Sequence, residues 1–197
     1  FHNLDIQTSS VNKGETFWDR FVVRVAPAEN NLPYREASRI NIHRDTWGTN
    51  LYQQINWWAP VSNVEEKNTM IFYPDYFDVP VKNNTSTWDL NIYLANRKKG
   101  DFSYPSAPQL KEDLPSNINK IPVTIKPGEI LCFSGAHLHS SSKEKSENTR
   151  ISFEIRTICE NDLNSSAQAP NVDCDLQWKF PKIFKKINDN SPLKITS

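Results

Sequence analysis

The residues with the clearest chemical potential include a His-x-Asp sequence, His43-Arg44-Asp45. It ends a run at residues 39–45 in which apolar and polar side chains alternate, a pattern typical of a β-strand. Residues two apart in a strand point to the same face, so we expect His43 and Asp45 to bind one metal ion together. A His-x-Asp sequence also arises easily by chance, so a metal site needs a further ligand.

A second pair of histidines, His137 and His139, is also spaced two residues apart. The pair follows an apolar strand candidate at residues 130–133 and the small residues Ser134 and Gly135. If the sheet closes on itself, one of these histidines completes a set of two imidazoles and one carboxylate. That set, with other coordination positions open, is typical of non-haem iron(II) oxygenases. Taken alone, such a pair is more often polar surface than a metal site.

The spacing of these residues resembles that of the iron(II)/2-oxoglutarate-dependent dioxygenase superfamily, and most closely its phytanoyl-CoA hydroxylase-like branch. The matching pieces are His43-Arg44-Asp45, the distant His139, and Arg150 eleven residues later. The resemblance spans residues 40–157. It implies an all-β fold, the double-stranded β-helix (jelly-roll or cupin-like barrel), with a few short peripheral helices. It also implies that His139 rather than His137 is the third iron ligand, because its distance to Arg150 matches the family.

The same resemblance implies that Arg150 binds the cosubstrate 2-oxoglutarate. The buried C5 carboxylate of 2-oxoglutarate needs a charged partner of matching shape, and a guanidinium offers two parallel hydrogen bonds. Ser152 lies two residues on, on the same strand face, and is expected to add a hydroxyl donor. Arg156 shares this face but is expected to lie too far along to reach. The alternative is that Arg150 is a surface partner of Glu147 or Glu154.

A strand predicted at residues 51–58 places Tyr52, Gln54, Asn56 and Trp58 on one face. Burying Gln and Asn side chains without partners is costly, so this face is expected to line a pocket. Gln54 and Asn56 are assigned to cosubstrate binding, with hydrogen bonds to loop backbone as an equally weighted alternative. The candidate substrate contacts are Trp47, Tyr52, Trp58 and His137, although Trp side chains are more often core packing.

The chain of 197 residues suits a single domain (1–197), with a core at about residues 20–158 and a C-terminal extension at 159–197. Thirteen Pro, only five Gly and short apolar runs indicate a β-rich body with many turns. A Lys-Pro-Gly-Glu turn at 126–129 predicts a hairpin between 121–125 and 130–133. The other predicted strands cover residues 21–25, 39–45, 51–58, 69–73, 88–95 and 149–158, and short helices are expected at 11–19 and 180–187.

Charge, hydropathy and cysteine content exclude several classes of protein. The chain has 23 Lys plus Arg and 23 Asp plus Glu, so no net field attracts it as a whole to nucleic acid or an anionic membrane. No run approaches the roughly 18 apolar residues of a membrane span. Three irregularly spaced cysteines, Cys132, Cys159 and Cys174, predict reduced thiols in a cytoplasmic protein, and Cys132 is expected in the core.

These observations predict an oxygenase that uses iron(II), 2-oxoglutarate and O2 to hydroxylate an unactivated C–H bond of a small or medium-sized metabolite. The resemblance implies release of succinate and CO2, with desaturation or cyclisation as further outcomes. Asp45 favours hydroxylation, because halogenating relatives replace this carboxylate with a small residue that admits chloride. Two alternatives are a cupin-type metalloenzyme that does not use 2-oxoglutarate and a non-catalytic jelly-roll module that binds carbohydrate. The sequence leaves the substrate and the oligomeric state unknown.

Overall fold

A computed structural model describes residues 15–28, 40–142, 144, 146–165 and 167–195. β-Sheet dominates this part of the chain, and only a few short helices accompany it. The strands are β1 (Thr16–Trp18), β2 (Val22–Ala26), β3 (Ile55–Pro60), β4 (Met70–Phe72), β5 (Ile121–Pro122), β6 (Leu131–Ser134), β7 (His139–Ser141), β8 (Arg150–Cys159) and β9 (Lys185–Lys186). The α-helices are α1 (Thr46–Thr49), α2 (Leu90–Lys98) and α3 (Glu160–Ser165), and 3-10 helices span Glu66–Asn68, Pro74–Tyr76 and Pro181–Ile183.

Two antiparallel sheets form the body of the described region. The larger has the strand order β6-β3-β8-β1-β9, with β2 also paired to β8, and the smaller has the order β5-β4-β7. The long strand β8 pairs with β1, β2 and β3 and so organises the larger sheet. Its first residues alternate as the sequence predicts for a strand buried on one face, with Arg150 and Ser152 buried and Ile151 exposed.

Side chains from both sheets share one core cluster. Trp58 of β3 and Met70 of β4 are buried there together with Val123, and Phe72 and Phe133 pack at its edge. Burial of each large apolar side chain stabilises the fold by about 1.5–3 kcal/mol. The two sheets therefore pack against each other, and β7, which begins at His139, lies beside this cluster.

The C-terminal segment after β8 completes two further core clusters. Cys174 and Leu176 are buried against Trp47 in one of them. Phe184 and Leu193 are buried in another, on the side of the larger sheet that carries β1. Removing this segment would expose both clusters to water, so it is part of the core and not a loose tail.

The strand predicted at residues 88–95 is wrong, because this segment begins the helix α2. The side chain of Asp89 accepts hydrogen bonds from the backbone N–H groups of Asn91 and Ile92 and so caps the helix N-terminus. Arg97 stands in the last turn, where a cation interacts favourably with the helix dipole. These local interactions outweigh the alternation of apolar residues, because no residue of α2 is buried and the alternation therefore gains nothing from a strand.

The hairpin predicted around residues 126–129 is also wrong, although its turn exists. The backbone N–H of Glu129 donates to Lys126 O at 3.0 Å, and Gly128 takes the positive φ of 96° that a type II turn needs. The two arms then part: β5 pairs with β4 in the smaller sheet, whereas β6 pairs with β3 in the larger. The turn therefore connects the two sheets.

Both helix predictions fail within the described residues. Residues 16–18 of the first form β1, while residues 11–14 lie outside the described part. The second, at 180–187, contains only a 3-10 helix and the short strand β9. No helix in the described ranges combines the length and apolar character required to cross a membrane.

The remaining strand predictions are confirmed with shifted ends, apart from residues 39–45. Arg39 lies outside the described part, and residues 40–45 make only an isolated bridge between His43 and His139. All three cysteines are free, but Cys132 is exposed rather than in the core, because it faces outward from β6 at the edge of the larger sheet. The confirmed strands are those predicted at 21–25, 51–58, 69–73 and 149–158.

Arg44 ties together the loops around the His-x-Asp sequence. Its buried guanidinium donates to four backbone carbonyls and to one carboxylate. The distances are 2.5 Å to Ala136 O, 2.7 Å to Tyr76 O, 3.0 Å to Val79 O, 3.3 Å to Phe77 O and 3.2 Å to Asp173 Oδ2. One side chain thus fixes the segment before β7, the loop after β4 and the C-terminal segment.

Replacing Arg44 with alanine is expected to lower the free energy of unfolding by about 3–5 kcal/mol, because it leaves a buried carboxylate without its cation. Lys82→Ala is the matched control, since its ion pair with Glu112 is exposed and is expected to contribute less than about 1 kcal/mol. Urea unfolding of both variants measures the difference. Equal midpoints for the two variants would contradict the structural role of Arg44.

Candidate metal centre

The two candidate histidine ligands are held side by side by reciprocal backbone hydrogen bonds. His43 N donates to His139 O and His139 N donates to His43 O, both at 3.0 Å. The two imidazole centroids are 4.4 Å apart. This bridge connects the segment before α1 to the first residue of β7, so the two sequence motifs meet at one point.

Asp45 brings its carboxylate to the same point from the beginning of α1. Its Oδ1 lies 3.6 Å from His43 Nε2, and its Oδ2 lies 3.6 Å from His139 Nε2. One ligand atom from each of the three side chains lies within 4.8 Å of the others, so the set can hold a metal ion. Asp45 adopts helical backbone angles at the N-cap of α1. The convergence therefore comes from a bridge followed by a turn, and not from the strand that the sequence predicts.

Backbone hydrogen bonds select the tautomer of both imidazoles. His43 Nδ1 lies 2.8 Å from Asn41 O, and His139 Nδ1 lies 2.9 Å from His137 O. A carbonyl oxygen only accepts, so each Nδ1 must carry the proton and donate. Each Nε2 then presents a lone pair toward the carboxylate, which is the tautomer that a metal-binding histidine needs.

The charges at the site favour the protonation states of metal ligands. Burial alone would raise the pKa of Asp45, but the imidazoles of His43 and His139 when protonated, and the Arg156 guanidinium, hold it well below its usual range. Burial, together with the neighbouring His43, lowers the pKa of His139 to about 4. At neutral pH the centre therefore offers an ionised carboxylate and a neutral imidazole at position 139.

A small cavity adjoins the three side chains. Asn56, Trp58 and Phe133 line it, together with His43, Asp45 and His139. Asn56 Nδ2 donates to Asp45 Oδ2, and its own Oδ1 accepts from Gln54 Nε2 at 2.8 Å. Gln54 is completely buried behind Asn56. Asn56 thus contacts a candidate metal ligand, whereas the contacts of Gln54 are with other side chains behind the cavity.

One face of β8 carries a row of polar side chains toward the cavity. Glu154 and Arg156 line the cavity itself, and Arg156 Nη1 lies 3.9 Å from Asp45 Oδ1. Arg156 was expected to lie too far along β8 to reach the cosubstrate carboxylate, and the structure places it at the end of the strand nearest the candidate metal ligands. Arg156 is also paired with the buried carboxylate of Asp19 at 2.6 Å, which raises the pKa of Arg156 despite its burial.

Sequence reasoning missed a second ion pair at this site. Arg24 of β2 donates to Glu154 through Nε at 2.8 Å and through Nη2 at 2.7 Å, and both residues line the cavity. The signal was present in the even-numbered residues of β8, which place Glu154 between Ser152 and Arg156 on one face. Arg24 could not be found this way, because nothing in the sequence indicates that β2 pairs with β8.

Arg150 and Ser152 lie farther along the same face of β8, outside the lining of the cavity. Both are buried, and neither Arg150 Nε nor Ser152 Oγ has a hydrogen-bond partner among the described residues. The Arg150 guanidinium carbon lies 5.6 Å from the ring centroid of Trp58. Burial, with a contribution from Arg24, lowers the pKa of Arg150 to about 10. Arg150 is therefore not the surface partner of a glutamate.

The four candidate substrate contacts have different surroundings. Trp47 is fully buried, donates from Nε1 to Asp173 at 2.7 Å and shares a core cluster with Tyr52. The structure thus places Trp47 and Tyr52 in the core and not over the metal centre. Trp58 lines the cavity. His137 packs its ring against Phe77, with centroids 4.6 Å apart, and its carbonyl orients His139.

Comparison with known proteins gives structural likenesses at low sequence identity. No family model and no curated protein matches the sequence. The apo structure of the non-heme monooxygenase ThoJ is similar over 77% of this chain and 50% of its own, at 14% identity and a TM-score of 0.50. EvdO2 from Micromonospora carbonacea var. aurantiaca is similar over 85% of this chain and 56% of its own, at 11% identity and a TM-score of 0.50.

EvdO2 has also been solved in complex with 2-oxoglutarate, and that structure covers 74% of this chain and 52% of its own at 11% identity, with a TM-score of 0.50. The chain therefore spans about half the length of the structures it resembles. At such low identity the likeness shows a shared fold. The sheet-dominated architecture described above is thus one that ThoJ and EvdO2 share in part.

Proposed function

We propose that this chain is a non-haem iron(II), 2-oxoglutarate-dependent oxygenase whose metal is held by His43, Asp45 and His139. The observation that carries the proposal is the convergence of these three side chains, with both Nε2 atoms turned toward the carboxylate. Two imidazoles and one carboxylate leave further coordination positions open on the metal, which suits a catalytic iron(II) ion. A structural zinc ion would instead be held by four protein ligands. The fold shared with ThoJ, and with the EvdO2 that was solved with 2-oxoglutarate, supports this class.

The finer assignment is the phytanoyl-CoA hydroxylase-like branch. In this proposal the two packed sheets close into a jelly-roll barrel within a single domain, residues 1–197. The support is the spacing of His43, Asp45, His139 and Arg150, together with the central place of β8 in the larger sheet. The C-terminal segment would then seal the end of the barrel that holds Trp47.

Arg150 and Ser152 are the residues that would bind the C5 carboxylate of 2-oxoglutarate. A buried guanidinium nitrogen and a buried hydroxyl without partners fit an incoming carboxylate, since leaving them unpaired is costly. The other two arginines on this side are already engaged, Arg24 with Glu154 and Arg156 with Asp19. Arg150 is thus the cation of the three that has no carboxylate partner among the described residues.

When bound, iron(II) and 2-oxoglutarate would supply oxygen activation, with succinate and CO2 released and a substrate C–H bond oxidised. The residues of this chain hold the metal, pair the cosubstrate and exclude water through the aromatic walls of Trp58 and Phe133. Asp45 occupies the position that halogenation would need for chloride, so hydroxylation of a small-molecule substrate with O2 is the proposed outcome.

Thermal unfolding with and without ligands tests this proposal. Mn(II) is used as an air-stable substitute for iron(II), alone and together with 2-oxoglutarate. We expect 2-oxoglutarate to raise the Tm only when Mn(II) is present, because its keto group and C1 carboxylate would chelate the metal. At about 100 times its Kd, the added stabilisation is about 2.7 kcal/mol.

Succinate is the matched control for 2-oxoglutarate, because it has two carboxylates but no keto group and cannot form the chelate. Stabilisation by Mn(II) with no further effect of 2-oxoglutarate would indicate a cupin-type metalloenzyme instead. No stabilisation by any divalent metal would contradict the proposed function and favour a non-catalytic binding module.

A further inference from the structure

A chain of buried side-chain hydrogen bonds runs from α1 to the candidate ligand Asp45. Thr49 Oγ1 donates to Gln54 Oε1 at 3.1 Å, and Gln54 Nε2 donates to Asn56 Oδ1 at 2.8 Å. Asn56 Nδ2 then donates to Asp45 Oδ2. Thr49, Gln54 and Asn56 are all at most 3% exposed. Water therefore does not compete for these bonds, and each amide depends on its neighbours.

The direction of this chain is set by the carboxylate. The Asn56 amide nitrogen donates to Asp45 Oδ2, so the carboxylate oxygen is the acceptor of this pair. The Asn56 oxygen then faces Gln54, whose nitrogen must donate, and the Gln54 oxygen is left to accept from Thr49. Turning either amide over would place two acceptors or two donors in contact without water to separate them.

Gly135 supports the chain from the side. A Cβ at this position would lie 2.8 Å from Gln54 Nε2 and 3.5 Å from Asn56 Oδ1, closer to Gln54 than side chains normally approach. The backbone cannot easily retreat, because Gly135 N donates to Gln54 O at 3.0 Å and Gly135 O accepts from Thr46 N at 3.2 Å. The absence of a side chain at position 135 therefore leaves room for the amides of Gln54 and Asn56 to hydrogen-bond to each other.

We infer that Thr49, Gln54 and Asn56 are positioning residues that fix the orientation of Asp45 toward the metal. The Asn56 bond occupies one lone pair of Oδ2, whereas the nearest Arg156 nitrogen, at 3.9 Å, is too far to donate to Oδ1. This asymmetry favours binding of the metal through Oδ1 alone. Single-oxygen binding keeps coordination positions open for a keto acid and O2. This inference rests on the proposed function, and it assigns Asn56 and Gln54 to the carboxylate and not directly to the cosubstrate.

Metal affinity measured without 2-oxoglutarate tests the inference. Gly135→Ala alters the chain without removing any polar group, and Asn56→Leu removes its last member. Titration with Co(II) is expected to show affinity about 10- to 100-fold weaker in both variants, the usual effect of losing a partner that orients a ligand. The visible spectrum of bound Co(II) should change in both, because it reports the coordination geometry.

Gly48→Ala is the matched control, since a Cβ at Gly48 in α1 meets nothing within 4 Å. Its Co(II) affinity and spectrum should equal those of the wild type. In the double variant Gly135→Ala/Asn56→Leu, the effect of Gly135→Ala should disappear, because it acts through Asn56.

Three results would overturn the inference. The first is a Co(II) affinity and spectrum of Asn56→Leu equal to those of the wild type, a readout that stands even if Gly135→Ala does not fold. The second is a double variant in which the effects of the two substitutions on Co(II) affinity simply add. The third is a wild-type protein that binds no metal, which would also overturn the proposed function; either of the first two leaves that function intact.

Discussion

Replacing His139 with alanine is expected to abolish tight metal binding and, with it, the response of the protein to 2-oxoglutarate. Two of the three candidate ligands would remain, and the cavity would be open at the removed imidazole. The loss should exceed the about 10- to 100-fold effect of removing a partner outside the coordination sphere. Calorimetric titration of the protein with Mn(II) measures this loss of affinity directly.

His137→Ala is the matched control for this variant, because it removes an imidazole only two residues away. The His137 ring packs against Phe77, whereas its contribution to the metal centre is a backbone carbonyl that alanine retains. Metal affinity in His137→Ala should therefore stay within a few-fold of the wild type. If His137→Ala lost the metal and His139→Ala kept it, the assignment of the distal ligand would be wrong.

Replacing Arg150 with alanine is expected to weaken 2-oxoglutarate binding by about 30- to 4,000-fold while leaving metal affinity unchanged. Truncating one partner of a buried, hydrogen-bonded charge pair costs about 2–5 kcal/mol, and about 1.4 kcal/mol corresponds to tenfold in affinity. Arg150→Lys should recover only part of the loss, because an ammonium lacks the planar fork. The measurement is the Kd of 2-oxoglutarate for the Mn(II)-loaded protein.

The competing assignment is that Arg24, which lines the cavity, binds the cosubstrate instead. The double variant Arg24→Leu/Glu154→Leu removes both members of that ion pair, so no buried charge is left alone. Our assignment predicts little change in the Kd of 2-oxoglutarate in this variant. Loss of binding there, with normal binding in Arg150→Ala, would reassign the cosubstrate site to Arg24.

The sequence predicts the three candidate ligands better than it predicts the backbone that carries them. Residue type and spacing single out His43, Asp45 and His139, and the structure brings these side chains together. Within the strand predicted at 39–45, the described residues 40–45 form instead a one-residue bridge followed by a turn into α1. A spacing of two residues predicts only that the two side chains converge. A turn can bring them together as well as a strand can.

The chemical partners of the ligands could not be predicted, because they come from elements distant in the chain. Arg24 and Asp19 precede the first motif by many residues, and only the pairing of β2 and β1 with β8 brings them to the site. Gln54 and Asn56 were expected beside the cosubstrate, since a buried amide row indicates a polar neighbour. The sequence could not indicate that this neighbour includes the carboxylate of Asp45.

Short sequence motifs predicted the backbone geometry of their own few residues, but not which strands would pair. The Pro-Gly turn forms, with Gly128 at positive φ, yet nothing in four residues indicates that its arms enter different sheets. The strand predicted at 88–95 failed for the opposite reason. α2 has no buried residue, so its apolar pattern carried no information, while the capping residue Asp89 did.

The measurement that tests the central claim most directly is anaerobic addition of iron(II) and 2-oxoglutarate to the metal-free protein. We predict the visible charge-transfer band of an iron(II)–keto acid chelate, its absence in His139→Ala and its weakening in Arg150→Ala at limiting 2-oxoglutarate. Iron(II) that binds without producing this band would contradict the use of 2-oxoglutarate. Failure to bind iron(II) at all would contradict the metal centre itself.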